Sequence, residues 1–66
     1  MITKNWFVII RTNEDGTLTF FWSDGEDWGE LHPGCLYPRA EAAYEHAAVF
    51  GGKVNMVTLT LRPITE

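Results

Sequence analysis

Trp6-Phe7-Val8-Ile9-Ile10 is the stretch that decides the fold. It is β-branched and aromatic, which suits a strand. It is apolar at odd and even positions alike, so both of its faces need cover, and a strand of that kind belongs in the centre of a sheet. Arg11 ends the run, far short of a membrane span.

Downstream, Thr12-Asn13-Glu14-Asp15-Gly16-Thr17 carries turn chemistry: Asn and Asp favour turns and Gly16 can take a positive φ. A second strand is expected over Thr17–Ser23. Leu18, Phe20 and Trp22 share one face there, and Thr17, Thr19, Phe21 and Ser23 the other. Asp24–Tyr37 holds Gly25, Gly29, Pro33 and Gly34 without a period and reads as one long loop, a kind of segment that tends to be functional.

Pro38 stands where a first helical residue is tolerated. Over Arg39–Phe50 the residues Ala40, Ala43, Tyr44, Ala47 and Phe50 form a stripe at helical spacing, with Glu41 and Glu45 opposite. Gly51-Gly52 stops the helix. A third strand follows over Val54–Arg62, where Val57, Leu59 and Leu61 alternate with Met56, Thr58 and Thr60.

The order is strand–strand–helix–strand. A right-handed crossover from the second strand to the third, with the doubly apolar strand central, predicts an α+β fold. It has a three-stranded antiparallel sheet of order 2-1-3 and one helix packed on one face. The other face keeps bulky residues, Phe21 and Met56 among them in some registers. It is either covered by the long loop or the termini, or left as a dimer or partner surface.

At 66 residues the chain is one compact domain, 1–66. Three Trp, four Phe and two Tyr give so small a core large side chains. Cys35 is the sole cysteine, which excludes an intrachain disulfide and favours a reducing, cytoplasmic compartment. The N-terminus lacks the pattern of a secretory signal.

The formal charge is −4, unevenly spread. From Thr12 to Pro38 there are six acids and no Lys or Arg, whereas the rest of the chain has five bases against three acids. Nucleic-acid binding needs clustered cations to displace counterions, so direct contact with nucleic acid is not expected. His32 and Cys35, with Glu30 and Asp27 nearby, contain donor types that zinc accepts. A structural site, however, wants four ligands, commonly in pairs, and neither a metal nor another cofactor is expected. A Cys35–His32 nucleophile pair would also need an orienting group and a cleft, and a chain this short has little room for one. The protein is expected not to be an enzyme.

The acids remain. Asp24, Glu26, Asp27 and Glu30 fall within seven residues around Trp28, and Glu41 and Glu45 follow at the start of the helix. These seven residues are the candidate partner-binding set, complementary to a basic protein surface. Trp28 is either core or an interface anchor.

Asp24-Gly25-Glu26-Asp27-Trp28-Gly29-Glu30 in a chain of tens of residues with a compact α+β reading resembles the small acidic inhibitors encoded by phages, anti-CRISPR proteins in particular. The resemblance spans the whole chain. It implies a binding inhibitor, some relatives of which mimic DNA, acting on a CRISPR effector subunit in the bacterial cytoplasm as a monomer or weak homodimer. The alternative is a small module that self-associates through the uncovered sheet face.

Overall fold

The computed structural model describes residues 2–64. The doubly apolar stretch lies inside a long strand, β1 (Ile2–Thr12), followed by β2 (Leu18–Trp22) and β3 (Asp27–Gly29). A 3₁₀ turn over Pro33–Cys35 leads to helix α1 (Ala40–Phe50) and to β4 (Lys53–Leu61). The α+β class is as expected. The sheet is not three-stranded, however: it has four antiparallel strands in the order β3-β2-β1-β4. The fourth is β3, within the segment expected to be loop.

β1 is central. It pairs with β4 from Ile2↔Leu61 to Ile10↔Lys53, but with β2 only from Ile10↔Phe20 to Thr12↔Leu18. The two strands are joined by a tight turn in which Asn13 N–H donates to the Thr17 carbonyl at 2.8 Å, with Gly16 at φ 89°. Further down β1, the place of β2 is taken by Tyr37, which exchanges two backbone bonds with Phe7 at 2.9 and 2.8 Å. The chain thus passes beside the sheet at Tyr37, from the face under the 30–36 segment to the face under the helix.

Register assigns the faces. Phe7, Ile9, Phe21, Trp28 and Val54 lie toward α1, where Ile9, Phe21, Tyr37 and Ala43 form the buried cluster. Phe21 therefore belongs to the covered face, and Phe20 and Trp22 point the other way. Alternation reveals which residues share a face but not which face the helix takes.

Pro38 precedes the helix by two positions, and Arg39 is the N-cap. Gly51, at φ 89°, ends the helix by donating its N–H to the Ala47 carbonyl at 2.8 Å. The inward stripe also differs from the expected one. Tyr44 points outward, 62% exposed. His46 turns inward instead: its Nδ1 meets the Tyr37 hydroxyl at 2.7 Å, which satisfies a polar ring on the packed side.

Candidate functional site

The acids of the 24–30 stretch sit on an edge hairpin. Gly25 N–H donates to the Trp22 carbonyl at 3.3 Å and Glu26 adopts φ 51°, so the turn closes tightly before β3. A left-handed conformation at a residue with a Cβ costs of order 1 kcal/mol and persists where its surroundings impose it. Asp24, Glu26, Asp27 and Glu30 are all exposed. Asp27 Oδ1 accepts the Trp28 N–H at 2.8 Å, which leaves its other oxygen outward.

Two tryptophans hold this hairpin, one on each face of the sheet. Trp28 packs edge-on against Phe21, with centroids 5.4 Å apart, and carries the Arg11 guanidinium over its ring at 4.4 Å. It is half-buried on the helix side and reaches across the sheet to the backbone of Gly52, where an added Cβ would stand 2.8 Å from the indole. Trp22, on the opposite face, donates its indole N–H to the Glu30 carbonyl at 2.7 Å. It also stacks on His32, with centroids 4.9 Å apart and planes 25° from parallel. Its ring covers Gly29 so closely that a Cβ there would be 3.1 Å away.

His32 and Cys35 serve this packing. His32 Nδ1 accepts the Gly34 N–H at 3.0 Å and caps the short 3₁₀ turn. Cys35 is buried, and its thiol contacts the Glu30 carbonyl at 3.8 Å. Burial pushes the thiol above its ordinary value of 9.0, with the nearby Asp24 charge adding to the effect. A thiol that holds its proton this firmly is a poor nucleophile at neutral pH. Among the described residues no three His, Cys, Asp or Glu side chains converge as a metal site would require.

The two groups of acids are separate. Glu41 and Glu45 line a shallow groove with Phe7, Arg39, Ala40 and Ala42, to which none of the hairpin carboxylates contributes. Arg39 puts a positive charge in that groove. Asp15, at the far turn, is occupied locally: its Oδ1 accepts the Thr17 hydroxyl at 2.6 Å and the Thr17 N–H at 2.9 Å.

The sheet face away from α1 is covered only in part. Val8, which points to this face, is fully buried. Beyond it, Leu31, His32, Pro33, Leu36, Val57 and Leu59 line a cleft of about 300 Å³. Leu59 then continues into a second hollow with Ile2, Lys4, Trp6 and Leu61. Ile2 is 65% and Leu61 68% exposed. Cover of this face is therefore partial: Val8 is buried, whereas Ile2 and Leu61, at the far end of the β1–β4 ribbon, are exposed.

No protein family, curated protein or solved structure matches the chain significantly. Among the described residues no helix is long and apolar enough to cross a membrane.

Proposed function

We propose that this protein works by binding rather than by catalysis, presenting the carboxylates of its β2–β3 hairpin to a basic, nucleic-acid-binding surface of another protein. A subunit of a CRISPR effector complex, met in the cytoplasm of a bacterial host, is the partner the resemblance suggests. The observation that carries the reading is the double anchoring of the hairpin. Trp22 fixes it to one face and Trp28 to the other, so Asp24, Glu26, Asp27 and Glu30 project from a fixed frame. Charges held in place lose little conformational freedom on binding, which favours recognition of a patterned cationic surface. Arg11, beside the hairpin, is engaged over the Trp28 ring.

The test is competition. Purified CRISPR effector complexes are titrated with target duplex DNA in a mobility-shift assay, with and without this protein, at two salt concentrations. The protein should displace DNA from at least one complex, less effectively as the Debye length falls below about 8 Å. The fourfold variant Asp24→Asn, Glu26→Gln, Asp27→Asn, Glu30→Gln should lose the effect. It should keep its fold, since an asparagine in place of Asp27 still offers an oxygen to the Trp28 N–H. A fourfold variant that competes as well as the native chain would reduce the acids to solubility devices.

A second reading, a module that self-associates through the uncovered sheet face, is favoured by the exposed apolar strip from Leu31 through Leu59 to Ile2 and Leu61.

A further inference from the structure

The opposite edge of the sheet differs from the acidic one in every respect. β3 is three residues long, and Glu26, Asp27 and Glu30 flank or occupy it. Short length and charge are the usual means by which an edge is kept from pairing. β4 is nine residues long, Lys53-Val54-Asn55-Met56-Val57-Thr58-Leu59-Thr60-Leu61, and carries no charge from Val54 to Leu61. It has no proline, and its residues follow one continuous register with β1 from end to end. Among the described residues no strand pairs with its outer side.

The backbone groups on that outer side can be assigned. Phe7 exchanges both of its backbone bonds with Tyr37, on the side of β1 away from β4. In an antiparallel ladder successive residues turn their N–H and C=O groups to opposite sides. The even-numbered residues of β1 therefore face β4, and the odd-numbered residues of β4, their partners, face β1. Val54, Met56, Thr58 and Thr60 are left with N–H and C=O directed outward. Met56 is 61% exposed, and Thr58 and Thr60 are exposed as well; Val54, at the start of the row, is half-buried against the core.

We infer that β4 pairs with β4 of a second copy, antiparallel about a twofold axis at Val57, to make a continuous eight-stranded sheet. The register follows from the outward groups. Bonds can be exchanged only between two even-numbered residues, and full overlap of the nine-residue strands sets Val54 opposite Thr60 and Met56 opposite Thr58. A shift by one residue would bring outward groups against inward ones. A shift by two would leave outward groups unpaired at the ends. This register also keeps the helices on one side; on the other it sets Val57 against Val57, with Leu59 opposite Asn55 and Leu61 opposite Lys53, so the apolar strips of Ile2, Leu59 and Leu61 stay apart at the two ends of the seam.

Charge agrees with a second copy as the occupant. β3 lies at the other end of the strand order, so the dimer carries its acidic hairpins at its two extremes, seven strand spacings or about 34 Å apart. That separation is several Debye lengths at 0.1 M salt, about 10 Å each, so the acids do not oppose association. From Val54 to Leu61 the edge offers no charged feature to a different partner. The strand-to-strand area falls below the roughly 1,200–2,000 Å² of standard stable interfaces, so association should depend on concentration. The inference uses the strand edge rather than the sheet face and is independent of the hairpin carboxylates.

Sedimentation velocity over a concentration series, with amide exchange followed by NMR on the same samples, tests it. The native chain should pass from monomer to dimer as concentration rises, and the amides of Val54, Met56, Thr58 and Thr60 should become protected in step. Thr58→Pro removes one outward N–H and no β1–β4 backbone bond, and costs only the exposed hydroxyl bond from Thr58 to Asn5 Oδ1, so it should abolish the dimer in a chain that stays folded; proline is tolerated on such an edge. Met56→Lys, at an exposed position, should do the same if the proline variant fails to fold. Ile2→Glu alters the apolar face without touching the edge and should leave the dimer. A chain that stays monomeric at NMR concentrations, or a dimer that survives both edge variants, would overturn the inference. A dimer broken by Ile2→Glu alone would also overturn it, in favour of association through the sheet face.

Discussion

The rings of Phe21 and Phe50 stack with centroids 4.7 Å apart and planes 27° from parallel. One residue comes from the second strand and the other from the last helical turn, so this contact closes the helix onto the acidic half of the sheet. Trp28 meets the same Phe21 ring edge-on, which ties the edge hairpin into the same cluster.

Phe21→Ala should therefore be severe. Phe21 has no exposed surface, and truncating a buried Phe costs about 3–5 kcal/mol. A domain of this size has a total stability of roughly 3–10 kcal/mol. Phe20→Ala, on the other face and half-buried, should cost clearly less. Urea denaturation of the two variants decides between them, and equal losses would mean that the helix does not distinguish the faces as described.

Gly52 and Gly16 make a second contrast. Both have positive φ, 94° and 89°. A Cβ on Gly52 would also stand 2.8 Å from the Ile9 side chain and 2.9 Å from the Ile10 carbonyl oxygen, whereas one on Gly16 would meet nothing within 4 Å. Gly16→Ala should lose about 1 kcal/mol from backbone strain alone. Gly52→Ala should lose more and shift the Trp28 resonances, measurable by thermal unfolding and by NMR of the indole.

Trp22→Phe keeps an aromatic ring over Gly29 but deletes the donor to the Glu30 carbonyl. It should cost about 0.5–1.5 kcal/mol. The loss should appear locally as faster alkylation of Cys35, which that segment keeps buried. Unchanged alkylation would mean that the indole bond does not hold the segment.

Stability should fall at alkaline pH. Burial raises the Cys35 thiol above 9.0 and the Tyr37 hydroxyl above 10.0. The unfolded chain then gives up these protons first as pH rises, which draws the equilibrium toward unfolding. The stabilisation is complete below pH 9.0 and is lost above it as pH climbs toward the folded values. Cys35→Ala should remove the earlier part of this decline. At the acid end, the Thr17 hydroxyl and then the Thr17 N–H lower Asp15 from 3.8, a contribution present above that pH and lost as pH falls through the folded value.

Much of the architecture is legible in the residues, and what is not has physical reasons. The two-sided apolar character of Trp6–Ile10 marks the central strand, and Gly51 marks the helix end. β3 escapes because Asp27-Trp28-Gly29 is too short to display a period and is set among acids and glycines. His46 escapes because an apolar template prefers Tyr44 to an imidazole. Only the Tyr37 hydroxyl, nine residues earlier, makes the histidine the better inward residue. The hairpin acids are visible as a charge run, yet nothing in the run foretells that tryptophans on opposite faces would pin it. Nor does it foretell that Glu41 and Glu45 would line a separate groove with Arg39.

The long ladder between β1 and β4 has a consequence for how the chain is made. Ile2 pairs with Leu61, so the first strand synthesised waits for the last. At an elongation rate of about 5–20 residues per second, the roughly 40 residues between the two strands take about 2–8 seconds to appear. Throughout that interval β1 has no β4 to pair with, and Trp6–Ile10 can gain at most a short β2 pairing beside it. Folding of the sheet is therefore completed only once Lys53–Leu61 is made, and until then Trp6–Ile10 is an apolar segment open to a chaperone that recognises extended chains.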